Sequence, residues 1–160
     1  MTRANGIPLE TTLEIRDTCL CLRAQRAARA LARRFDEALR PLGLTNGQFS
    51  LLVSLNRPAP PTMGATAELL AMDRTTLTAA LKPLQRRGLV RIEPAASDKR
   101  SRLMLLTDDG RQLLARAVPI WRREHAEVDR DLGGIDIGTL KTGLGRLSER
   151  SVEQAVAPAG

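Results

Sequence analysis

Apolar residues recur at helical spacing near both ends of the chain and alternate with polar residues over a short central stretch. One long amphipathic helix closed by Pro41 and Gly43 is predicted over about 11–42, where seven arginines surround an apolar stripe. The stripe consists of Leu20, Ala24, Ala27, Leu31, Phe35 and Leu39. Thr45 and Gln48 then form a capping-box pattern, which predicts the start of a second helix. The apolar residues expected on its buried face are Phe49, Leu52, Val53 and Leu55.

A short helix, a turn and a further helix are predicted for the middle of the chain. The prolines of segment 58–61 precede the short helix, which covers about 62–70. Asp73 is placed to cap the next helix, and Gly88 offers a left-handed stop. Its expected buried face consists of Leu77, Leu81 and Leu84. Its expected free face, able to contact phosphates or base edges of DNA, carries Arg74, Thr75, Thr76, Thr78 and Lys82.

The alternating stretch predicts a β-hairpin with a basic tip. Residues 90–93 alternate apolar and polar side chains, and 103–106 provide the antiparallel partner. The connecting segment 94–102 is polar and longer than a two-residue turn. Its cations are Lys99, Arg100 and Arg102. A basic hairpin tip next to a slender helix with a polar face indicates contact with double-stranded DNA.

Two more helices are predicted after the hairpin. Thr107 is placed to cap the first, which extends to about Leu132 with a bend near Pro119 and ends at 133–134. The second begins near Ile137. A domain of 160 residues cannot bury the apolar faces of helical segments at both of its ends. We therefore expect a homodimer built from the N- and C-terminal helices.

Three segments in this order resemble the MarR family of bacterial winged helix-turn-helix regulators: 73–78 (DRTTLT), 84–90 (LQRRGLV) and 98–102 (DKRSR). The resemblance extends roughly over 11–132. It implies a mainly α fold of the α+β type, in which a winged helix-turn-helix domain with a two-stranded wing is joined to N- and C-terminal helices that form a dimerisation domain. On this basis the chain is a single MarR-type domain over 1–160, with dimerisation helices at 11–43 and 108–157 and a DNA-binding region at 45–107.

The resemblance also implies a function. It implies a sequence-specific transcriptional regulator whose dimer places its recognition helices in successive major grooves of a pseudo-palindromic operator, with Arg100 of each wing in a flanking minor groove. A small aromatic or amphipathic effector, bound between the dimer helices and the winged domain, would release this repressor from DNA. Residues Phe49, Trp121 and His125 are the candidates for lining that site, and core packing is the alternative role for each.

Several positions depart from the family pattern. Thr66 stands where an apolar residue is usual, and Ala71 replaces the common turn glycine. Residues 79–80 are both alanine where larger polar or basic residues are frequent, so DNA contacts are not assigned to them. Pro83 removes a backbone donor from the recognition helix, at a cost of about 3 kcal/mol unless packing offsets it, and predicts a kink over 79–83 rather than a separate helix.

The net charge of +7 is unevenly distributed. Segment 73–102 holds eight Lys or Arg against three acids, whereas the chain from Asp108 onward holds eight against nine. The positive surface therefore coincides with the proposed DNA face, as a polyanion binder requires. Because the N-terminus has no apolar signal and no apolar run reaches spanning length, we expect a cytoplasmic protein without membrane contact.

Catalytic and metal-binding constellations are weak. His125 is the single histidine, tyrosine is absent, and no serine lies in a nucleophile-elbow setting, so we expect no enzyme, cofactor or metal. Cys19 and Cys21 are separated by about 200° on the predicted helix, which excludes a disulfide between them while the helix persists and leaves only an intersubunit bridge. The two cysteines have two possible interpretations. They are small, partly buried helix residues, or they form a sensor of oxidants or metals.

Three alternatives to the effector-controlled repressor stay open at this point. In the first, the protein is a redox-sensing regulator that acts through Cys19 and Cys21. In the second, it is a nonspecific architectural DNA-binding protein that uses the same basic surface. It is also compatible with a protein-interaction module, because winged helices dock proteins as well. The operator, the regulated genes, the effector and the sign of regulation do not follow from the sequence.

Overall fold

The fold is helical with one small sheet. A computed structural model describes residues 6–96, 98 and 100–156, with side chains up to residue 148. Over these residues the elements are α1 (Leu9–Thr18), α2 (Leu20–Leu39), a 3-10 turn (Arg40–Leu42), α3 (Asn46–Leu55), α4 (Met63–Leu69), α5 (Arg74–Arg86), β1 (Val90–Pro94), β2 (Arg102–Leu106), α6 (Asp108–Asp131) and α7 (Ile137–Val156). The mainly α architecture with a two-stranded wing is confirmed.

The prediction of one unbroken helix over 11–42 is wrong, because the chain leaves helical geometry at Cys19. Cys19 is extended (ψ 107°), ends α1 and caps α2, with its thiol accepting a hydrogen bond from the Leu22 amide at 3.4 Å. The guanidinium group of Arg23 donates to the Asp17 carbonyl oxygen at 2.5 and 3.2 Å, which occupies a carbonyl at the end of α1. The local sequence, Asp-Thr-Cys, consists of weak helix formers, so a break here costs little.

The core lies where α3, α5, the base of the hairpin and the first turns of α6 meet. Burial of Val53 was expected, but this side chain is 47% exposed, whereas Leu51 is 1% exposed. Helix α3 packs against α2, α5 and α6, so its buried positions are not confined to a single stripe. The largest fully buried apolar side chains are Leu39, Leu51, Leu52, Leu77, Leu81, Leu84 and Met104.

The hairpin is joined to the helices at both of its ends. Its strands pair in antiparallel register from Val90 opposite Leu106 to Pro94 opposite Arg102. An isolated bridge pairs Thr62 with Leu103 and brings the start of α4 against β2. The wing therefore has a fixed position relative to the helix-turn-helix.

The predicted caps are present. Thr45 and Gln48 form the capping box of α3, with both reciprocal hydrogen bonds made at 3.1–3.2 Å. Asp73 caps α5, and the Thr107 hydroxyl caps α6 while donating to the Gly88 carbonyl oxygen at 2.8 Å. Helix α5 continues through Pro83, and α6 likewise continues through its own proline, as one helix each. A bend at either proline stays a prediction.

Two departures from the family pattern have a physical consequence in the fold. Ala71, in the turn between α4 and α5, adopts φ +50°, a left-handed conformation that favours glycine. Thr66 is 1% exposed, and its hydroxyl oxygen has no hydrogen-bond partner in the described part of the chain. A buried hydroxyl without a partner loses its hydration and gains nothing in return.

We expect Thr66→Val to stabilise the protein. Valine keeps the shape of threonine and removes the unpartnered hydroxyl, so the free energy of unfolding should rise by about 1 kcal/mol, the lower end of the cost of such a group. Urea denaturation followed by circular dichroism measures the change. Thr75→Val on the exposed face of α5 is the matched control, with a change within about 0.5 kcal/mol. A loss of stability in Thr66→Val would show that the hydroxyl is hydrogen-bonded in the native protein.

Candidate nucleic-acid interface

One face of α5 is solvent-exposed along its whole length. Its opposite face is fixed by three leucines, Leu77, Leu81 and Leu84, each with 0% exposure. The helix is thus held from behind while its free face stays available to a groove. The predicted contact residues on this exposed face are Arg74, Thr75, Thr76, Thr78 and Lys82.

The threonine hydroxyls of this face differ in what they offer to DNA. Thr76 donates to the Asp73 carboxylate, and Thr78 donates to the Arg74 carbonyl oxygen, both at 2.7 Å. Their hydrogens are used, so these two oxygens are available as acceptors. The Thr75 hydroxyl makes no side-chain hydrogen bond within the described residues and can both donate and accept.

Asp73 caps the start of α5 through its carboxylate. The Thr76 amide and then the Thr76 hydroxyl donate to its carboxylate at 2.7 Å each and lower the pKa of Asp73 below its ordinary value of 3.8. A lowered pKa stabilises the folded state above pH 3.8, and this contribution is lost as pH falls through the lower, folded value. At neutral pH the carboxylate is charged and the cap is intact.

In its described part, the wing tip is closed by hydrogen bonds and presents two arginines to solvent. The Ala95 amide donates to the Ser101 carbonyl oxygen, and both the Ser101 and Arg100 amides donate to Asp98, all at 2.9 Å. The side chains of Arg100 and Arg102 are exposed. The predicted contact residue Lys99 lies outside the described residues.

A notch of about 300 Å³ separates α5 from the wing. Three arginines line it, Arg74 from the helix and Arg100 and Arg102 from the wing, and its positive charge suits a phosphate group. Three lining residues from the start of α4 were not foreseen, because the Thr62–Leu103 bridge that brings them to the wing joins distant parts of the chain. The full lining is Thr62, Met63, Gly64, Arg74, Thr78, Arg100, Ser101 and Arg102.

A second, apolar cleft of about 540 Å³ lies between α3, α4 and α6. Phe49 and Trp121, two of the three residues expected at a ligand site, line it with nearly parallel rings whose centroids are 6.4 Å apart. Arg122 contributes a cation. The remaining lining residues are Ser50, Val53, Ser54, Leu69, Leu70 and Val118.

His125, the third expected ligand residue, is not in the lining of this cleft. Its ring packs against Trp121 at 5.0 Å and Phe35 at 6.4 Å between centroids, and its Nδ1 lies 3.3 Å from the Asp129 carboxylate. Beside it, Arg34 of α2 forms ion pairs with Glu124 and Asp131 of α6. The neighbourhood of His125 therefore joins α2 to α6.

The two cysteines have free thiols and lie well before α5 in the sequence. Cys19 is half-buried at the junction of α1 and α2, and Cys21 is exposed in the first turn of α2. A continuous helix would keep the two side chains apart, but Cys19 is not helical, so helix geometry does not exclude a disulfide between them. Within the described part of the chain, His, Cys, Asp and Glu side chains do not form a group of three or more that could bind a metal ion. None of the described helices combines the length and the apolar character that a membrane span requires.

Comparisons with known proteins agree with this geometry. A model described as the MarR family matches residues 42–101. The chain is 32% identical over 101 residues to the organic hydroperoxide resistance transcriptional regulator of Bacillus subtilis (strain 168), covering 63% of this chain and 69% of that protein. It is 31% identical over 122 residues to the transcriptional activatory protein BadR of Rhodopseudomonas palustris, covering 74% and 70%.

A solved structure extends the similarity to nearly the whole fold. The transcriptional regulator MosR of M. tuberculosis, crystallised in complex with DNA, matches with a TM-score of 0.77 and 39% identity, over 87% of this chain and 99% of that one. Sequence and fold agree on one assignment. The chain belongs to the MarR family: it is a winged helix transcriptional regulator that binds DNA, and it is not an enzyme.

Proposed function

We propose that the protein is a homodimeric, sequence-specific repressor that binds a pseudo-palindromic operator and leaves it when a small aromatic or amphipathic acid binds. It acts in the cytoplasm, where it meets its DNA. The observation that carries this proposal is the exposed face of α5 beside the three arginines that line the notch, Arg74, Arg100 and Arg102. A helix with exposed hydroxyl oxygens suits the major groove, and Arg74 and Arg102 beside it suit the phosphate backbone that borders the groove.

The terminal helices support the homodimer. Helix α1 buries none of its residues within one protomer, and Leu9, Leu13 and Ile15 are 38–72% exposed. Leu140 and Leu144 of α7 are also exposed. Apolar faces at both ends of a chain are stable in water when a second copy covers them.

The contact residues divide into two groups by chemistry. Thr75, Thr76 and Thr78 face base edges, because short hydroxyl side chains on α5 fit within a groove. Arg100 enters the flanking minor groove. The remaining cations contact phosphates and position the protein: Arg74, Lys82, Lys99 and Arg102.

We expect Arg100→Ala to weaken binding to a preferred duplex, selected from random sequences with the wild-type protein, by about tenfold. The slope of log affinity against log salt should fall in magnitude by about one, because one cation–DNA contact is lost. Fluorescence anisotropy at several salt concentrations measures both quantities, and sedimentation checks that the dimer is intact. Arg116→Ala, which removes an exposed cation of α6, is the control. Equal affinities and slopes for the two variants would contradict the wing assignment.

The apolar cleft supports control by a small molecule. Its walls come from α3 and α4 of the helix-turn-helix and from α6, one of the predicted dimerisation helices. A ligand there contacts both parts, so it can favour a dimer whose recognition helices have the wrong separation for DNA. A coupling of about 1–3 kcal/mol is enough for a graded response. The aromatic rings of Phe49 and Trp121 suit an aromatic ligand, and Arg122 suits its carboxylate.

We expect Arg122→Ala to weaken the binding of benzoate, used as the probe acid, by about tenfold because the carboxylate loses its ionic partner. The fluorescence of Trp121, the single tryptophan of the chain, measures the titration. DNA affinity without benzoate should be unchanged. Arg123→Ala is the control, since Arg123 is exposed and is not in the lining. If benzoate binds wild type and Arg122→Ala equally, or binds neither, this assignment of the cleft is wrong.

A second candidate function is redox control through Cys19 and Cys21. Two observations favour it: Cys19 occupies the break between α1 and α2, and one relative is named an organic hydroperoxide resistance regulator. A hydroperoxide would oxidise two thiols to one disulfide, within or between subunits, and would itself be reduced to an alcohol and water. Loss of the thiol that caps α2 would then disturb the helices proposed to form the dimer.

For this candidate, cumene hydroperoxide should release wild-type protein from its selected duplex, whereas the double variant Cys19→Ser, Cys21→Ser should stay bound. Serine retains a capping oxygen and cannot form a disulfide. Gel shift with and without a reducing agent measures release, and mass spectrometry of the oxidised protein shows whether a disulfide has formed. Identical release of the wild type and the serine variant would exclude the cysteines as the sensor.

A further inference from the structure

Among the described cations of the segment 73–102, Arg87 differs from the others in what it contacts. It follows the last residue of α5, and its guanidinium group donates from Nη1 to the Gly43 carbonyl oxygen at 2.5 Å and from Nη2 to the Leu42 carbonyl oxygen at 3.1 Å. Both acceptors lie more than 40 residues away along the chain. The charge of Arg87 is therefore directed at the protein backbone rather than offered to DNA.

The two acceptors suit a guanidinium group. They belong to the end of the 3-10 turn that prolongs α2, where Gly43 adopts φ +62° and the chain turns away. Carbonyl groups at the end of a helical segment lack intrahelical partners and carry partial negative charge. The planar fork of arginine donates two hydrogen bonds in a fixed geometry, which fixes orientation as well as distance.

The contact joins two parts of the molecule with different tasks. Helix α2 packs on α6 and carries the exposed apolar residues Leu20 and Leu31, whereas α5 carries the DNA-contacting face. Helix α3 lies between them in the packing, and its first residue is tied to α2 by a hydrogen bond of 2.6 Å from the Asn46 amide to the Asp36 carboxylate. Arg87 adds a direct link from the end of α5 to the end of α2.

We infer that Arg87 is a positioning residue that sets the orientation of the recognition helix relative to α2, and thereby the spacing of operator half-sites that the dimer accepts. The inference rests on the proposed homodimer. In a twofold dimer the distance between the two α5 helices depends on how each is attached to the helices at the interface. A fixed attachment selects one half-site spacing, and a loose attachment accepts several.

The test compares Arg87→Ala with Arg86→Ala. Both remove one positive charge from the end of α5, but the exposed Arg86 has no side-chain hydrogen bond or ion pair within the described residues. Each protein is titrated with the duplex selected by the wild type and with two derivatives in which one base pair is inserted or deleted between the half-sites. We expect wild type and Arg86→Ala to bind the parent duplex more tightly than the two derivatives. For Arg87→Ala, the ratio of these affinities should be smaller by about fivefold or more, which is the lower end of a typical coupling between two sites.

The ratio of affinities separates positioning from other roles. A loss of charge or of packing would lower affinity for all three duplexes by the same factor, and that result would overturn the inference. Thermal unfolding checks each variant, and Arg87→Lys, which keeps the charge without the fork, decides the question if Arg87→Ala does not fold. A wild-type protein without any preferred sequence or spacing would overturn the proposed function and this inference together. A preference that both Arg87 variants retain in full would overturn the inference alone.

Discussion

The structure depends on the burial of one face of the recognition helix. Leu77, Leu81 and Leu84 are fully buried, and each contributes about 2 kcal/mol relative to an exposed position. This burial supplies stability that α5 needs, since Pro83 removes one of its backbone hydrogen bonds. The same burial leaves the polar face of α5 exposed. Because the leucines pack into the core on one side of the helix, the threonines and cations between them face solvent on the other.

The wing and the start of α6 are held by backbone contacts that leave little freedom. The Thr107 hydroxyl caps α6 and donates to the Gly88 carbonyl oxygen, while the Thr107 amide donates to the Leu89 carbonyl oxygen. Gly110 lies so close to Leu89 that a Cβ atom would collide with its carbonyl oxygen. The base of the hairpin is therefore held against the start of α6, the helix that also lines the apolar cleft.

Individual residues show how far the sequence predicts the structure. The capping box at Thr45, the cap at Asp73 and the antiparallel hairpin follow from local hydrogen-bonding and alternation, and the structure confirms them. Ala71 and Thr66 were visible as departures from a pattern, yet the left-handed φ of one and the unpartnered hydroxyl of the other required coordinates. The break at Cys19 was missed because the apolar stripe that predicted the helix begins only at Leu20, and periodicity does not register a single non-helical residue before it.

The sequence by itself determined most of the helices and the hairpin, the exposed face of α5 and the basic wing, because these depend on side-chain periodicity, caps and charge within short segments. The fold class followed from the resemblance of three of these segments to the MarR family. Tertiary structure alone decided which distant groups meet. It brought Thr62 to the wing to complete the notch, placed His125 behind Trp121 rather than in the cleft, and turned Arg87 towards the end of α2. The physical reason is that each of these contacts joins residues far apart in the chain, and their distance is set by the packing of whole helices.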